Sequence, residues 1–204
     1  MKEYFKTIAK EGVAEFKDRG SRFLAYAYPI DSIEGFKTNL TLLKKEHPKA
    51  VHHCFAYRLG LDNNIFRVSD DGEPSGSAGR PILGQIDSKE LTNVMIVVVR
   101  YFGGTLLGVP GLINAYKTAA SLALQVTPEV EKAVEKNYRI HCTYDLLNDA
   151  MVILKQVGCT IHAVEQSLFC DVQVGIPVNR LDAVLHKLND IHGLELTEEK
   201  VKAL

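Results

Sequence analysis

Two stretches of this 204-residue chain place enough polar groups at close spacing to form a site. The first is Asp70-Asp71-Gly72-Glu73-Pro74-Ser75-Gly76-Ser77-Ala78-Gly79-Arg80, with three acids, two serines and an arginine in eleven residues. Its three glycines let the backbone turn successive N–H groups toward one point. With a helix starting near Ser77, those amides and the helix dipole suit a phosphate or phosphodiester, held by Ser75, Gly76, Ser77, Gly79 and Arg80. Asp70, Asp71 and Glu73 are candidate functional acids, whose oxygens also suit Mg²⁺. The competing reading is a long turn whose acids cap a helix and whose arginine is an internal ion-pair partner.

The second stretch, Arg100-Tyr101-Phe102-Gly103-Gly104-Thr105-Leu106-Leu107-Gly108-Val109-Pro110-Gly111, leaves a buried strand and enters a helix, where open α/β sheets receive ligands. It has neither the Gly-Lys-Ser/Thr of a P-loop nor GxGxxG. Arg100 can grip a phosphate beside Gly103 and Gly104, and Lys117, about two turns into the helix, adds charge. Alternatively, the paired glycines permit close backbone packing and Arg100 pairs with Asp70 or Asp71. There is no GxSxG and no HExxH, and His52-His53 on a strand point to opposite faces. His53, beside Phe55 and Tyr57, stays a functional candidate; Cys54 reads as a core thiol. No catalytic residue, metal centre or cofactor is expected.

The elements that must position these loops follow from periodicity. Gly12 to Lys17 and Arg22 to Ile30 read as a hairpin, and Asp31 or Ser32 caps a helix that His47-Pro48 ends. Val51 to Leu59 and Ile65 to Val68 are strands around Asp62-Asn63-Asn64. Pro81 to Ile86 begins a helix. Val94 to Tyr101, continuously apolar, is a strand buried on both faces. From Leu112, Ala115, Tyr116, Ala119, Ala120 and Ala123 form one helical stripe. Thr127-Pro128-Glu129 then reads as a linker. Beyond it, strands at 138–144, 159–163, 168–176 and 194–196 alternate with helices at 147–154 and 181–191, in the order βαββαβ of a ferredoxin-like split βαβ. The reading is an α+β protein with domains at 1–130 and 131–204.

Twenty-four Lys and Arg against 25 Asp and Glu, with 46% hydrophobic residues, exclude a disordered chain and a polycationic nucleic-acid coat. The first 130 residues hold a slight basic excess and the remainder a slight acidic one. Apolar runs are too short for a membrane helix, and MKEYFKTIAKEG has no apolar signal core. Four cysteines without CxxC spacing read as reduced thiols. A cytoplasmic location without a membrane partner is expected.

Asp71 to Pro81, Asp-Gly-Glu-Pro-Ser-Gly-Ser-Ala-Gly-Arg-Pro, and Val97 to Gly108, Val-Val-Val-Arg-Tyr-Phe-Gly-Gly-Thr-Leu-Leu-Gly, resemble the two signature segments of the YigZ/IMPACT family. The spacing through Ile82-Leu83, Ile86 and Leu91 fits as well. The resemblance implies a first domain like the second domain of small-subunit ribosomal protein five, and a second similar to the C-terminal domains of elongation factor G. It also implies a non-enzymatic role in translational control. Eukaryotic relatives bind the activator of a starvation-responsive kinase through competition, and carry an N-terminal accessory domain that this chain is expected to lack. The partner expected here is RNA, the ribosome or a ribosome-associated protein. The alternative is a metal-dependent enzyme acting on a nucleotide or small phosphorylated ligand.

Overall fold

The protein, seen as a computed structural model, is described over residues 2–62 and 64–199. It is a mixed α/β chain with several sheets, and it divides into two compact units: Phe5–Lys132, and residues 2–4 with 133–199.

In the first unit, β2 (Gly12–Asp18), β3 (Ser21–Pro29), β4 (His52–Leu59), β5 (Ile65–Ser69) and β6 (Val94–Tyr101) form an antiparallel sheet in the order β2-β3-β6-β4-β5. Helix α1 (Ile33–Glu46) covers one face, where Phe36 and Leu43 meet Phe55, Tyr57, Met95, Val97 and Val99. Helices α2 (Gly79–Ser88) and α3 (Gly108–Gln125) cover the other, where Ile82, Ile86, Tyr116 and Ala119 meet Phe23, Ala56, Ile96 and Val98. The two-sided cover explains the unbroken apolar run of β6, since both sets of alternating side chains are buried. Ser32 caps α1, its Oγ accepting from Gly35 N at 3.1 Å. Of the turn expected at Asp62-Asn63-Asn64, Asn63 lies outside the described residues; Asn64 donates to both Asp62 carboxylate oxygens.

Two strands were not expected. β1 (Tyr4–Ile8) pairs with β7 (Glu129–Ala133), so the chain after Pro128 is not a free linker. Ala9 N donates to Pro128 O at 2.9 Å, and the buried Thr127 donates its hydroxyl to Lys10 O at 2.7 Å. Smaller differences concern element ends. Helix α2 starts at Gly79 and α3 at Gly108, ahead of the expected Pro81 and Leu112, while Tyr144 opens a helix instead of ending a strand.

The second unit runs β8 (Glu135–Cys142), α4 (Tyr144–Val157), β9 (Thr160–Gln166), β10 (Cys170–Pro177), α5 (Leu181–Asn189) and β11 (Glu195–Glu199). Its antiparallel sheet has the order β11-β8-β10-β9. Ile140, Val172 and Val174 pack on Ala150, Leu154, Val184 and Leu188. Arg139 is ion-paired with Glu199 at 2.7 Å, and His141 Nδ1 lies 3.1 Å from Asp171 Oδ1. Cys54, Cys142 and Cys170 are buried free thiols and Cys159 is half-buried. Among the described residues, no helix is long and apolar enough to cross a membrane.

Candidate binding site

The register sets Arg100 of β6 between Phe23 of β3 and His52 of β4. Alternation then aims Arg100 at the α2–α3 face, because Ile96 and Val98 point there. Its guanidinium lies over the Phe23 and Phe102 rings, 5.4 and 5.6 Å from their centroids. Arg100 Nη1 donates to Glu73 Oε1 at 2.6 Å, and Nη2 reaches Ser21 Oγ at 3.5 Å. The same Glu73 oxygen accepts from the Tyr116 hydroxyl of α3 at 2.7 Å, and His52 Nε2 lies 3.8 Å away. The Arg100 and Glu73 side chains are only 6% and 4% exposed. Arg100 Nε is buried without a hydrogen-bond partner, and the remaining contacts form a charge-assisted network that fastens the acidic loop to the sheet and to α3.

The remaining acids have separate partners. Asp70 Oδ1 accepts from Ala78 N at 3.0 Å and Gly79 N at 2.8 Å, while Oδ2 accepts from Gly76 N at 2.8 Å. Burial works to raise its pKa, but these three amides and the charge of Arg80 outweigh it and hold the carboxyl below its ordinary range. Asp71, with φ +43°, accepts from His53 N at 2.6 Å, and its carbonyl accepts from His52 Nδ1 at 2.7 Å. Ser77 Oγ donates to Pro74 O at 2.6 Å.

The expected phosphate cradle is therefore corrected: the Gly76 and Gly79 amides at the start of α2 already bind a carboxylate of the same loop. Arg100 is likewise turned inward, and its partner is Glu73, not Asp70 or Asp71. The three acids do not converge on a common point, and the described residues contain no group of three or more His, Cys, Asp or Glu that could hold a metal ion. That removes the geometric basis for reading Asp70, Asp71 and Glu73 as metal ligands.

The second glycine pair has two different reasons. A Cβ on Gly103 would fall 1.9 Å from Gly20 C and 2.2 Å from Ser21 N, so the β2–β3 turn and the β6–α3 loop touch backbone to backbone. Ser21 Oγ accepts from Gly103 N at 3.2 Å. Gly104 has φ +86° and open space around it. Lys117 is exposed in the groove between α2 and α3, beside Gln85 and Asn114, and neither loop lines that groove. His53 is buried on the opposite, α1-facing side; burial pushes its pKa down, and Nε2 has no hydrogen-bond partner. Ser75 and Arg80 are exposed, and the β6–α3 loop presents Phe102 and Leu106, the latter 82% exposed.

Sequence reasoning passed over Ser21 and the hydroxyl of Tyr116, weighed His52 only as a metal partner of His53, and read Cys54 as a core thiol, as it is. Tyr116 had a usable signal: a tyrosine in a buried alanine stripe needs a partner for its hydroxyl. Cys54 Sγ lies 3.0 Å from Asp70 O and 3.3 Å from that hydroxyl, and burial pushes its pKa up, which suits an inert thiol. The arrangement offers no activated nucleophile; what it exposes is a loop surface on a braced interior.

The Impact N-terminal domain model matches residues 19–124, just over half of the chain, and spans both loops. The chain is 34% identical over 172 residues to IMPACT family member YigZ of Escherichia coli K12, covering 83% of this chain and 84% of that protein. A crystal structure described only as that of a hypothetical protein superposes with TM-score 0.76 at 30% identity, covering 98% of this chain and 99% of the other. A solved protein described as the two-domain translational regulator Yih1 is 29% identical over 60% of this chain and 47% of its own, with TM-score 0.36. Since the domain match takes in the Glu73–Arg100–Tyr116 network and the YigZ match runs through most of both chains, this chain belongs to the IMPACT family.

Proposed function

We propose that the protein is a non-enzymatic, cytoplasmic binding protein of translational regulation, contacting RNA, the ribosome or a translation-associated protein through the outer surface of the two loops. The observation that carries this reading is the division of labour within them. Asp70 binds backbone amides and Glu73 binds Arg100 Nη1 inside, while Phe102, Leu106, Ser75 and Arg80 face outward. Exposed aromatic and aliphatic side chains on one loop and an exposed arginine at the end of the other have the composition of a recognition surface, not of a hydrolytic centre. The family supports the same direction, since Yih1 is described as a translational regulator. The reading includes an IMPACT-type domain at 1–130 with the fold of the second domain of ribosomal protein five. It also includes a ferredoxin-like domain at 131–204 similar to the C-terminal domains of elongation factor G, both analogies of fold. The enzymatic alternative has no comparable observation in its favour.

The test is co-sedimentation with ribosomes and affinity capture from lysate, each with and without nuclease. Leu106→Asp and Arg80→Ala, both at exposed positions, are expected to cut the bound fraction about tenfold, the loss of one or two good contacts at an interface. Unchanged binding by both folded variants defeats the assignment of this surface.

A further inference from the structure

Cys142 closes β8 and Cys170 opens β10, and the antiparallel register sets the two residues directly opposite each other. Both side chains belong to the core that holds Ile140, Val172 and Leu154, so they leave the sheet on the same face. Opposed residues of an antiparallel pair have Cα atoms about 4.5–5.5 Å apart, inside the range of about 4.4–6.8 Å that a disulfide spans. Their Cβ atoms have to close by only about 1 Å. The remaining thiols stand apart from this pair. Cys54 belongs to the first unit. Thr160 is paired with Gly175, five residues along β10 from Cys170, which puts Cys159 roughly 16 Å away or more.

Both thiols are reduced and buried, at 1% and 0% exposure. Burial first, and the neighbouring Cys170 second, push the Cys142 thiol up, which keeps it protonated and unreactive while the core is closed. The pair nevertheless sits where both strands end. Beyond Cys142 the chain turns into α4 at Tyr144, and before Cys170 comes the β9–β10 turn with Leu168 and Phe169. Tyr144, Leu168 and Phe169 are all exposed, and the Tyr144 hydroxyl donating to Ser167 O at 2.9 Å is what holds the turn to the helix start. Strand ends with so little buried apolar cover open locally, without global unfolding. An opened end gives the sulfurs water, and with it their ordinary acidity.

We propose that Cys142 and Cys170 are an oxidative modification site, which hydrogen peroxide converts into a cross-strand disulfide within one chain. One sulfur, as thiolate, attacks a peroxide oxygen; the O–O bond breaks, and the hydroxide that leaves takes up the proton lost by the thiol, giving water and a sulfenic acid. The opposed sulfur attacks the sulfenic sulfur, the S–O bond breaks, and the second hydroxide takes up the second thiol proton. Two thiols and one peroxide thus give one disulfide and two waters, the sulfurs supplying the two electrons. In a reducing compartment such a bond is transient, and exchange with a small thiol reverses it. It ties together the two inner strands of the sheet, and it stands independently of what the loops of the first unit bind.

The test is treatment of the full chain with hydrogen peroxide under conditions where its circular dichroism spectrum is unchanged, followed by alkylation in denaturant and peptide mapping. Cys142 and Cys170 are expected to be protected from alkylation as one linked peptide pair, with dithiothreitol restoring both. Cys54→Ala/Cys159→Ala is expected to form the same bond at the same rate. Cys142→Ala is expected to abolish it and to leave Cys170 as a sulfenic acid that dimedone traps. In a chain unfolded by urea before oxidation, where register no longer chooses the partner, the preference for this pair is expected to disappear. Full alkylation of both residues after treatment of the folded chain, a linkage that includes Cys54 or Cys159 or joins two chains, or an equal preference in the folded and unfolded chain overturns the proposal.

Discussion

Arg100→Met removes the cation around which the acidic loop is organised. The Glu73 carboxylate stays behind, 4% exposed, with the Tyr116 hydroxyl as its remaining donor. Removing one member of a buried ion pair costs about 3–5 kcal/mol, mostly because the other charge is left unpaired. Glu73→Leu in the same background takes away that charge, so the double variant is expected to recover part of the loss, with a coupling of about 2–3 kcal/mol. Tyr116→Phe, which deletes one hydrogen bond to the carboxylate, is expected to cost about 1.5–3 kcal/mol. The chain has no tryptophan, so urea unfolding is followed by far-ultraviolet circular dichroism. If Arg100→Met costs less than about 1 kcal/mol, or if the two single changes add without coupling, the pair is not a buried clasp and the reasoning fails.

Two further outcomes follow from the geometry. Gly103→Ala places a methyl group against the Gly20 backbone and is expected to cost about 1–3 kcal/mol by overpacking. Gly104→Ala meets open space and pays for its left-handed backbone alone, about 1–2 kcal/mol, so a larger loss at Gly104 than at Gly103 refutes the close-approach reading. His53, whose pKa burial lowers from 6.5, binds fewer protons folded than unfolded. Stability is then full above the ordinary histidine value and is lost as pH falls below it. Its environment includes Asp71, Lys44 and His47, so the readout is a difference: the fall in urea midpoint from about pH 7.5 to about pH 5.5 is expected to shrink in His53→Met, and an equal fall removes His53 as the cause.

Much of the scaffold was legible because it is written in local periodicity. The run at Val94–Val99 reads as a doubly covered strand, the alanine stripe from Ala115 to Ala123 as a packed helix, and the second unit as βαββαβ. Strands β1 and β7 were hidden because Glu-Val-Glu-Lys-Ala has the composition of a charged linker, and its partner lies at the far end of the chain. The loop at 70–80 was ambiguous for a deeper reason. Backbone amides carry no sequence signature, and an internal carboxylate satisfies them as well as an external phosphate does. Only register and loop course, which bring Asp70 back onto Gly76, Ala78 and Gly79, separate the two.

The Asp70 carboxylate at the start of α2 has a consequence for competition. A tethered ligand held by three amides acts at the effective concentration of an intramolecular partner, which for short connections is far above that of a dissolved ion. Millimolar phosphate or sulfate therefore has no entry to this helix end, and changes of ionic composition leave the loop in place. A change in its own protonation, well to the acid side, is what can vacate the seat.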